Sequence, residues 1–521
     1  LLKSSPLFYC RLLTGKAKPM KKLLTLSLAC LLVGGAYAQR SKKSTPAATN
    51  PVSDITSLVT KSDAEAHLTF LASDEMRGRN TGSPELEIAA NYIASNFKQW
   101  GIKPAPGTQD KYFQTVEFQK TTPPSVIDFT IDGQTFKVRE DIVLVGGGDV
   151  DVSGGIVFVG YGSRADFEKA NAKGKIVVAF TGSADDPNIM RAFMTESVSK
   201  NALTKEFGGV ALVEINAIPG IPWQNLAGFL GGSRTSLKKE MAGVPHFWMK
   251  NSDAAVMKAL KETKAGKGTL KCAGSSVKYF SGKNVAGVVE GTDPVLKNEY
   301  IVISAHYDHV GVKQKAGQQD SIYNGARDNA IGTVGMLETA RFFGRYPQKR
   351  SVLLLALTAE EAGLLGSSWY SDHPLIPLNQ TVFNFNCDGA GYNDTTIATV
   401  IGMERTTAEP EIAKACEAFG LKATVDPVPE QNLYERSDNY NFAKKGVPAI
   451  DFAPGTKAFD AELMKYYHQP ADEVSSLDFD YLIKYFRAYV YTNYLLATMP
   501  KAPVWKAGDK FEAEAKKLYG K

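Results

Sequence analysis

The sequence predicts an α/β protein: a mostly parallel sheet flanked by helices, with a β-rich segment inserted ahead of most of it. Three observations predict this. Short apolar runs at Tyr300–Ser304, Ser351–Leu357, Val382–Phe385 and Pro448–Phe452 alternate with helical patterns, notably Ala330–Phe343 and Glu411–Phe419. That alternation is the signature of parallel strands joined by helices on both faces. Between 116 and 285 the texture differs, with strand-like runs Ile142–Val145, Gly155–Val159, Lys175–Phe180 and Gly209–Val213 separated by glycine-rich turns. From Asp54 to Trp100 apolar residues recur every three to four positions, as in amphipathic helices.

Taken in order, residues 1–38 read as a leader. Met20-Lys21-Lys22 is a basic n-region, Leu23 to Val33 an apolar run, and Ala36-Tyr37-Ala38 a small-x-small cleavage site before Gln39. This is the pattern of a secretory signal peptide, with residues 1–19 as upstream translated sequence and Met20 as the start. Lipidation at Cys30 is the poorer alternative, because that cysteine lies within the apolar run behind Ser27 and Leu28. The run is too short to span a bilayer and no later run reaches that length. Export to the periplasm or medium is therefore expected, with no transmembrane segment. The leader also distorts the charge: the chain carries +5, but residues 1–38 hold six basic side chains and no acid, so the remainder carries −1. Such a balance calls for no nucleic acid.

Residues 39–53, rich in Ser, Thr, Ala and Pro, form a flexible lead-in, and 54–115 the first part of the main domain. There Ala64–Leu71 and Pro84–Trp100 are helical, Ser83 is the N-cap of the second helix and Gly101 its stop. Asp74-Glu75-Met76-Arg77-Gly78-Arg79 between them reads as a polar loop. The inserted segment spans 116–285, the remainder of the main domain 286–500, and a tail 501–521. Beyond the leader only Cys272, Cys387 and Cys416 remain, too few for a disulfide framework and without CxxC spacing. Any metal must then be held by histidines and carboxylates. Cys387 is expected to be packed rather than reactive.

In open α/β sheets ligands bind outside the carboxyl ends of the strands. Just past the four apolar runs stand His306-Tyr307-Asp308, Glu360-Glu361, Asp388, and a loop ending at Tyr467-His468; Asp328 immediately precedes the Ala330 helix. The chain has only six histidines, so their convergence with carboxylates on one sheet edge is informative. Such a nitrogen and oxygen donor set suits zinc, or cobalt or manganese. Two cations sharing a bridging carboxylate clamp both oxygens of a displacement. Asp308, two residues beyond His306, is placed to receive that imidazole's second N–H. Glu360 and Glu361 divide two roles, one ligating and the other accepting a proton.

Six motifs make the sequence resemble a known family: Ala305-His306-Tyr307-Asp308-His309-Val310-Gly311, Gly325-Ala326-Arg327-Asp328-Asn329-Ala330-Ile331-Gly332, Ala359-Glu360-Glu361-Ala362-Gly363-Leu364, Asn386-Cys387-Asp388-Gly389, Tyr434-Glu435-Arg436-Ser437-Asp438 and Tyr467-His468-Gln469-Pro470-Ala471-Asp472. Over residues 55–500 it resembles the zinc exopeptidases that include bacterial leucyl-type aminopeptidases, glutamate carboxypeptidases and the inactive transferrin receptor. The resemblance implies the zinc exopeptidase fold and two zinc ions. His306 and Asp388 would hold one, Glu361 and His468 the other, with Asp328 bridging. Glu360 would be the general base, Asp308 the orienter of His306, and Tyr434 a donor to the oxyanion. It further implies a cis Asp328–Asn329 peptide, and a protease-associated domain at 116–285 marked by Gly160-Tyr161-Gly162 and Lys173-Gly174-Lys175. Asn329 and Asn439 stand where members often have Asp and His, which bears on specificity and tuning, not on the ligands.

By analogy with exported bacterial members, the resemblance implies an aminopeptidase acting on peptides with a metal-activated water. Glu404 or Asp394 would meet the substrate ammonium. A carboxypeptidase, with Arg436, Arg405 or Lys444 holding the terminal carboxylate, a glutaminyl cyclase, and a non-catalytic receptor-like protein are the alternatives.

Overall fold

The computed structural model describes residues 50–520, apart from 110, 186–190, 219–221, 239–242, 252–257, 259, 263–264, 316 and 318. The leader, its cleavage site and Cys30 lie outside the described residues. No helix among those described is long and apolar enough to cross a membrane.

The main sheet has ten strands, and its centre is the parallel set Ala449–Pro454, Thr381–Asn386, Tyr300–His306 and Ser351–Leu357, in that spatial order. Alternation of side chains decides which face each residue serves. Ile301, Ile303, Val352, Leu354, Phe383 and Phe385 enter one core, with helices Pro84–Gln99, Ile331–Arg345, Glu409–Ala418 and Phe479–Thr498. Val302, Leu353 and Leu355 enter the other, with Tyr370, Phe442 and Trp505. Both faces are covered, so the strands are apolar throughout rather than alternating. Each such fully buried aliphatic side chain contributes roughly 1.5–3 kcal/mol. Around this centre the sheet is mixed. Ile397–Ile401 runs antiparallel to Ala449–Pro454, and Ser276–Val289 antiparallel to Ser351–Leu357.

A second sheet of eight strands is built from residues between Val126 and Ala273, around Phe129, Leu144, Val178, Val213 and Phe247. Strands Phe113–Thr122 and Ser276–Val289, which the sequence reading divides at 116 and 285, belong to the main sheet and pair with each other from Val285↔Phe113 to Ser276↔Thr122. Arg234–Leu237, from within the insertion, returns to pair beside them. The buried charges of the second sheet are paired: Glu214 meets Lys200 at 2.8 Å and His246 at 2.8 Å.

Other boundaries differ from expectation. The first helix starts at Pro51, inside the expected lead-in, because Asn50 accepts the Ser53 N–H as an N-cap. The Ser83 cap forms as expected, accepting from Leu86. Residues 501–520 are not a loose tail: Trp505 and Phe511 are buried, Arg405 binds Asp509 at 2.7 Å, and Glu512–Tyr519 is helical.

The expected polar loop at Asp74–Arg79 is a tight turn with positive φ at Arg77, Gly78 and Arg79, and it is a strut. Arg79 is fully buried and donates to the carbonyls of Leu71, Tyr307 (3.0 Å), Asn324 (2.7 Å) and Gly325 (3.0 Å). It ties the His306 loop to the Asp328 loop. Arg79→Met would strand these carbonyls, and an unpaired buried acceptor costs roughly 1–3 kcal/mol. A loss of about 3 kcal/mol or more is expected in equilibrium denaturation; an unchanged midpoint would show the strut to be dispensable.

Candidate metal centre

Strand order decides where a site forms. Tyr300–His306 is followed in the chain by Ser351–Leu357 on one side and by Thr381–Asn386 on the other. The connections diverge there and leave a crevice at the carboxyl ends. Register aligns those ends, His306 opposite Leu357 and Ser304 opposite Asn386, which in turn faces Asp451.

All five expected ligands converge there. Asp328 presents one oxygen to each of two imidazoles: Oδ1 lies 3.4 Å from His306 Nε2, and Oδ2 lies 3.1 Å from His468 Nε2. His306 Nε2 is also 3.1 Å from Asp388 Oδ1, and His468 Nε2 is 3.2 Å from Glu361 Oε2. Two donor sets thus share Asp328, one with His306 and Asp388, the other with His309, Glu361 and His468. Donors around one tetrahedral zinc, at bonds of ~2.0–2.2 Å, lie ~3.3 Å apart. No lysine or arginine pairs with Asp328, Glu360, Glu361 or Asp388 among the described residues. Buried and half-buried carboxylates without cationic side chains, and imidazole nitrogens at that spacing, fit divalent cations.

The supporting contacts explain how the donors are held. Asp388 N–H and Asn386 Nδ2 donate to Asp451 Oδ1 at 2.8 and 3.1 Å. Asp472 accepts from the backbone N–H groups of Arg327 and Asp328 at 2.9 and 3.2 Å, aiming the shared carboxylate. The Asp328–Asn329 peptide is cis, as the resemblance implies. Asn329 donates to the Cys387 carbonyl at 2.7 Å, and Asn439 to the Tyr434 carbonyl at 3.1 Å, so both departures from the motif serve backbone. Cys387 is buried beside the Tyr485 hydroxyl, and burial pushes its thiol well up, leaving it packed and inert. Ala359 and His468 hold left-handed backbone, φ +58° and +52°, and such strain clusters at functional sites.

The two glutamates differ in electrostatics. Burial, reinforced by Asp388 and Glu361 and countered by His306, holds Glu360 well above the usual carboxylate range. Burial and Asp328 also push Glu361 up, but the His309 and His468 imidazoles outweigh them and leave it at about 2. Glu360 is therefore the more basic of the two carboxylates.

Two sequence expectations are corrected. The Asp308 carboxylate does not receive the His306 N–H: ring Nδ1 lies 3.1 Å from the Asp308 main-chain carbonyl, and 3.8 Å from Oδ1. The carboxylate instead accepts from Thr81 Oγ1 at 3.0 Å and Glu360 N–H at 3.1 Å, locking the two catalytic loops together. Burial pushes it to about 6. Tyr434 is not brought to the cluster either. Its hydroxyl donates to the Ala449 carbonyl at 3.0 Å, while Arg405 covers its ring. The tyrosine on the cavity wall is Tyr467, whose ring stacks on His468 and whose hydroxyl accepts from Arg436 at 3.2 Å. Tyr467 stands beside the expected ligand His468 in the last of the six motifs, which implies no role for it.

Thr399, Ile401, Leu433, Ala453, Thr456 and Phe459 form the neutral side of the cavity. Arg436 also lines it, whereas Glu404, Asp394, Arg405 and Lys444 do not. Asp394 caps its own turn through Thr396, at 2.9 Å from that N–H.

Comparison with known proteins agrees with this geometry. A family model for peptidase family M28 matches residues 284–492, which include every donor named above. Aminopeptidase YwaD of Bacillus subtilis is 25% identical over 487 residues, 88% of this chain and 90% of that protein. The vacuolar membrane protease of Saccharomyces cerevisiae is 32% identical over 117 residues, but these are 22% of this chain and 11% of the protease. Among solved structures, an aminopeptidase from Aneurinibacillus sp. strain AM-1 shares the fold, with TM-score 0.54 and 22% identity over 88% of this chain and 98% of that one. The family match lies on the strand ends that gather the histidines and carboxylates, so it is residues 284–492, the part of the chain that carries the site, that match peptidase family M28.

Proposed function

We propose that the protein is an exported di-zinc aminopeptidase that removes N-terminal residues from peptides. The observation that carries the two-metal reading is Asp328, whose two oxygens face separate histidines at 3.4 and 3.1 Å. Bound cations would polarise the scissile carbonyl and make water a nucleophile near neutral pH. Glu360 takes the proton of the attacking water and returns it to the leaving amine. Asp328, His306, Asp388, Glu361 and His468 would hold the cations, and the Tyr467 hydroxyl would donate a hydrogen bond to the developing oxyanion. Likeness to Aminopeptidase YwaD along most of both chains supports trimming at the amino terminus. The Met20–Ala38 pattern supports export, and the glycine-punctuated segment between the main-sheet strands supports a protease-associated domain.

A carboxypeptidase is the second reading, favoured by Arg436, which lines the cavity and pairs with no carboxylate among the described residues. Mass spectrometry of products from peptides with either terminus blocked separates the two. Trimming that survives an acetylated amino terminus but stops at an amidated carboxyl terminus would reject the aminopeptidase.

Tyr467→Phe is expected to lower kcat ~10²–10³-fold, the cost of one oxyanion donor. Tyr434→Phe, removing a phenol bound to sheet backbone, should leave kcat unchanged and cost about 1 kcal/mol of stability. The reverse pattern in steady-state kinetics would restore the motif-based assignment.

A further inference from the structure

We propose that Arg436 is a positioning residue for the oxyanion donor: it holds the Tyr467 hydroxyl by its oxygen and so keeps that hydroxyl's proton for the substrate. The inference rests on reading Tyr467 as the group that meets the oxyanion.

A hydrogen-bond donor contributes most to catalysis when its proton already points to where charge will develop. Tyr467 is half-buried on the cavity wall, and its ring is clamped. It stacks on His468 at 4.3 Å between centroids and is met edge-on by Phe459 at 6.2 Å. Those contacts fix the ring but leave the hydroxyl free to turn about its C–O bond. Arg436 Nη2 lies 3.2 Å from the hydroxyl oxygen. A guanidinium has five N–H groups and no acceptor, so the oxygen can only accept in this bond. The phenol's own proton is then turned away from Arg436, and no hydrogen bond claims it among the described residues.

The turn that carries Arg436 is set for this reach. Tyr434 is tied to the Ala449 carbonyl at 3.0 Å, and the Glu435 carboxylate pairs with Lys510. Both anchor the turn Leu433–Arg436, from which the arginine crosses to Tyr467. Its Nη1 lies 3.4 Å from the Gln431 carbonyl, and it pairs with no carboxylate among the described residues. The charge is therefore not cancelled, and from behind the phenol oxygen it makes the hydroxyl a stronger donor. The competing role for Arg436 is to grip a substrate carboxylate, which would show in substrate binding and not in turnover.

The test is a double-mutant cycle of Arg436→Met and Tyr467→Phe in the zinc-loaded protein. Two substrates are used, leucyl-alanine and leucyl-alaninamide, the second without a carboxylate. Arg436→Met is expected to lower kcat ~10-fold on both with KM little changed, the scale of losing one hydrogen bond to a charged group. In protein that already carries Tyr467→Phe, adding Arg436→Met should lower kcat no further, because the hydroxyl it positions is gone. An equal loss in both backgrounds would overturn the proposal, as would a wild-type kcat in Arg436→Met. A rise in KM confined to leucyl-alanine, with kcat unchanged, would overturn it in favour of carboxylate binding. Tyr467→Phe turning over like the wild type refutes the oxyanion reading, and the inference with it, so the two failures are distinct.

Discussion

Glu360→Gln is expected to keep its metals and its substrate affinity while kcat falls by ~10²–10⁴-fold, the usual worth of a positioned proton acceptor. Glu360 Oε2 is 3.9 Å from His306 Nε2, farther than any of the three expected carboxylate ligands lies from its nearest imidazole, and burial holds its carboxyl above the usual range. Gln reproduces its shape and cannot accept that proton. Glu361→Gln should fail differently. Its oxygens lie 2.7 Å from His309 and 3.2 Å from His468, within one donor set, so a neutral amide would loosen the metal. Added zinc should then restore part of the activity. Metal content and kcat for both variants decide the matter; if Glu360→Gln sheds zinc while Glu361→Gln stays loaded but dead, the roles are reversed.

Asp328→Ala should be the most damaging single change to the centre, because it removes one donor from each set at once. Tight zinc binding should fall below two ions per chain, and affinity should drop by more than the ~10–100-fold expected for an outer partner. Chelation of the wild type should abolish turnover and zinc should restore it. Two tightly held ions in Asp328→Ala, measured by metal analysis after gel filtration, would dismiss the shared carboxylate.

The donors were legible because chemistry and topology coincide in them. His306, Asp388 and Glu361 each stand within a few residues of a strand end, and apolar runs reveal where strands end. Asp328 and His468 were legible from motif alone. What escaped was direction. Asp308 offers two kinds of acceptor, and only the fold decides that the imidazole meets its carbonyl rather than its carboxylate. Tyr434 and Tyr467 both sit in motifs, and the side that a phenol faces depends on residues far away in the chain, here Ala449 and Arg436. The limits of the insertion were obscured for a related reason. Strands Phe113–Thr122 and Ser276–Val289 resemble the strands of the second sheet, and pairing partners more than a hundred residues apart leave no local trace.

The ladder between those two strands carries one more consequence. Its last pair is Thr122↔Ser276, so the chain leaves the main sheet and re-enters it through facing residues. Opposed residues of an antiparallel pair are ~4.5–5.5 Å apart, a gap that a two-residue turn closes. In evolutionary terms the second sheet is a cassette set into the tip of a hairpin. Arg234–Leu237, stitched back against Phe118–Thr121, records that this particular cassette has grown into its host.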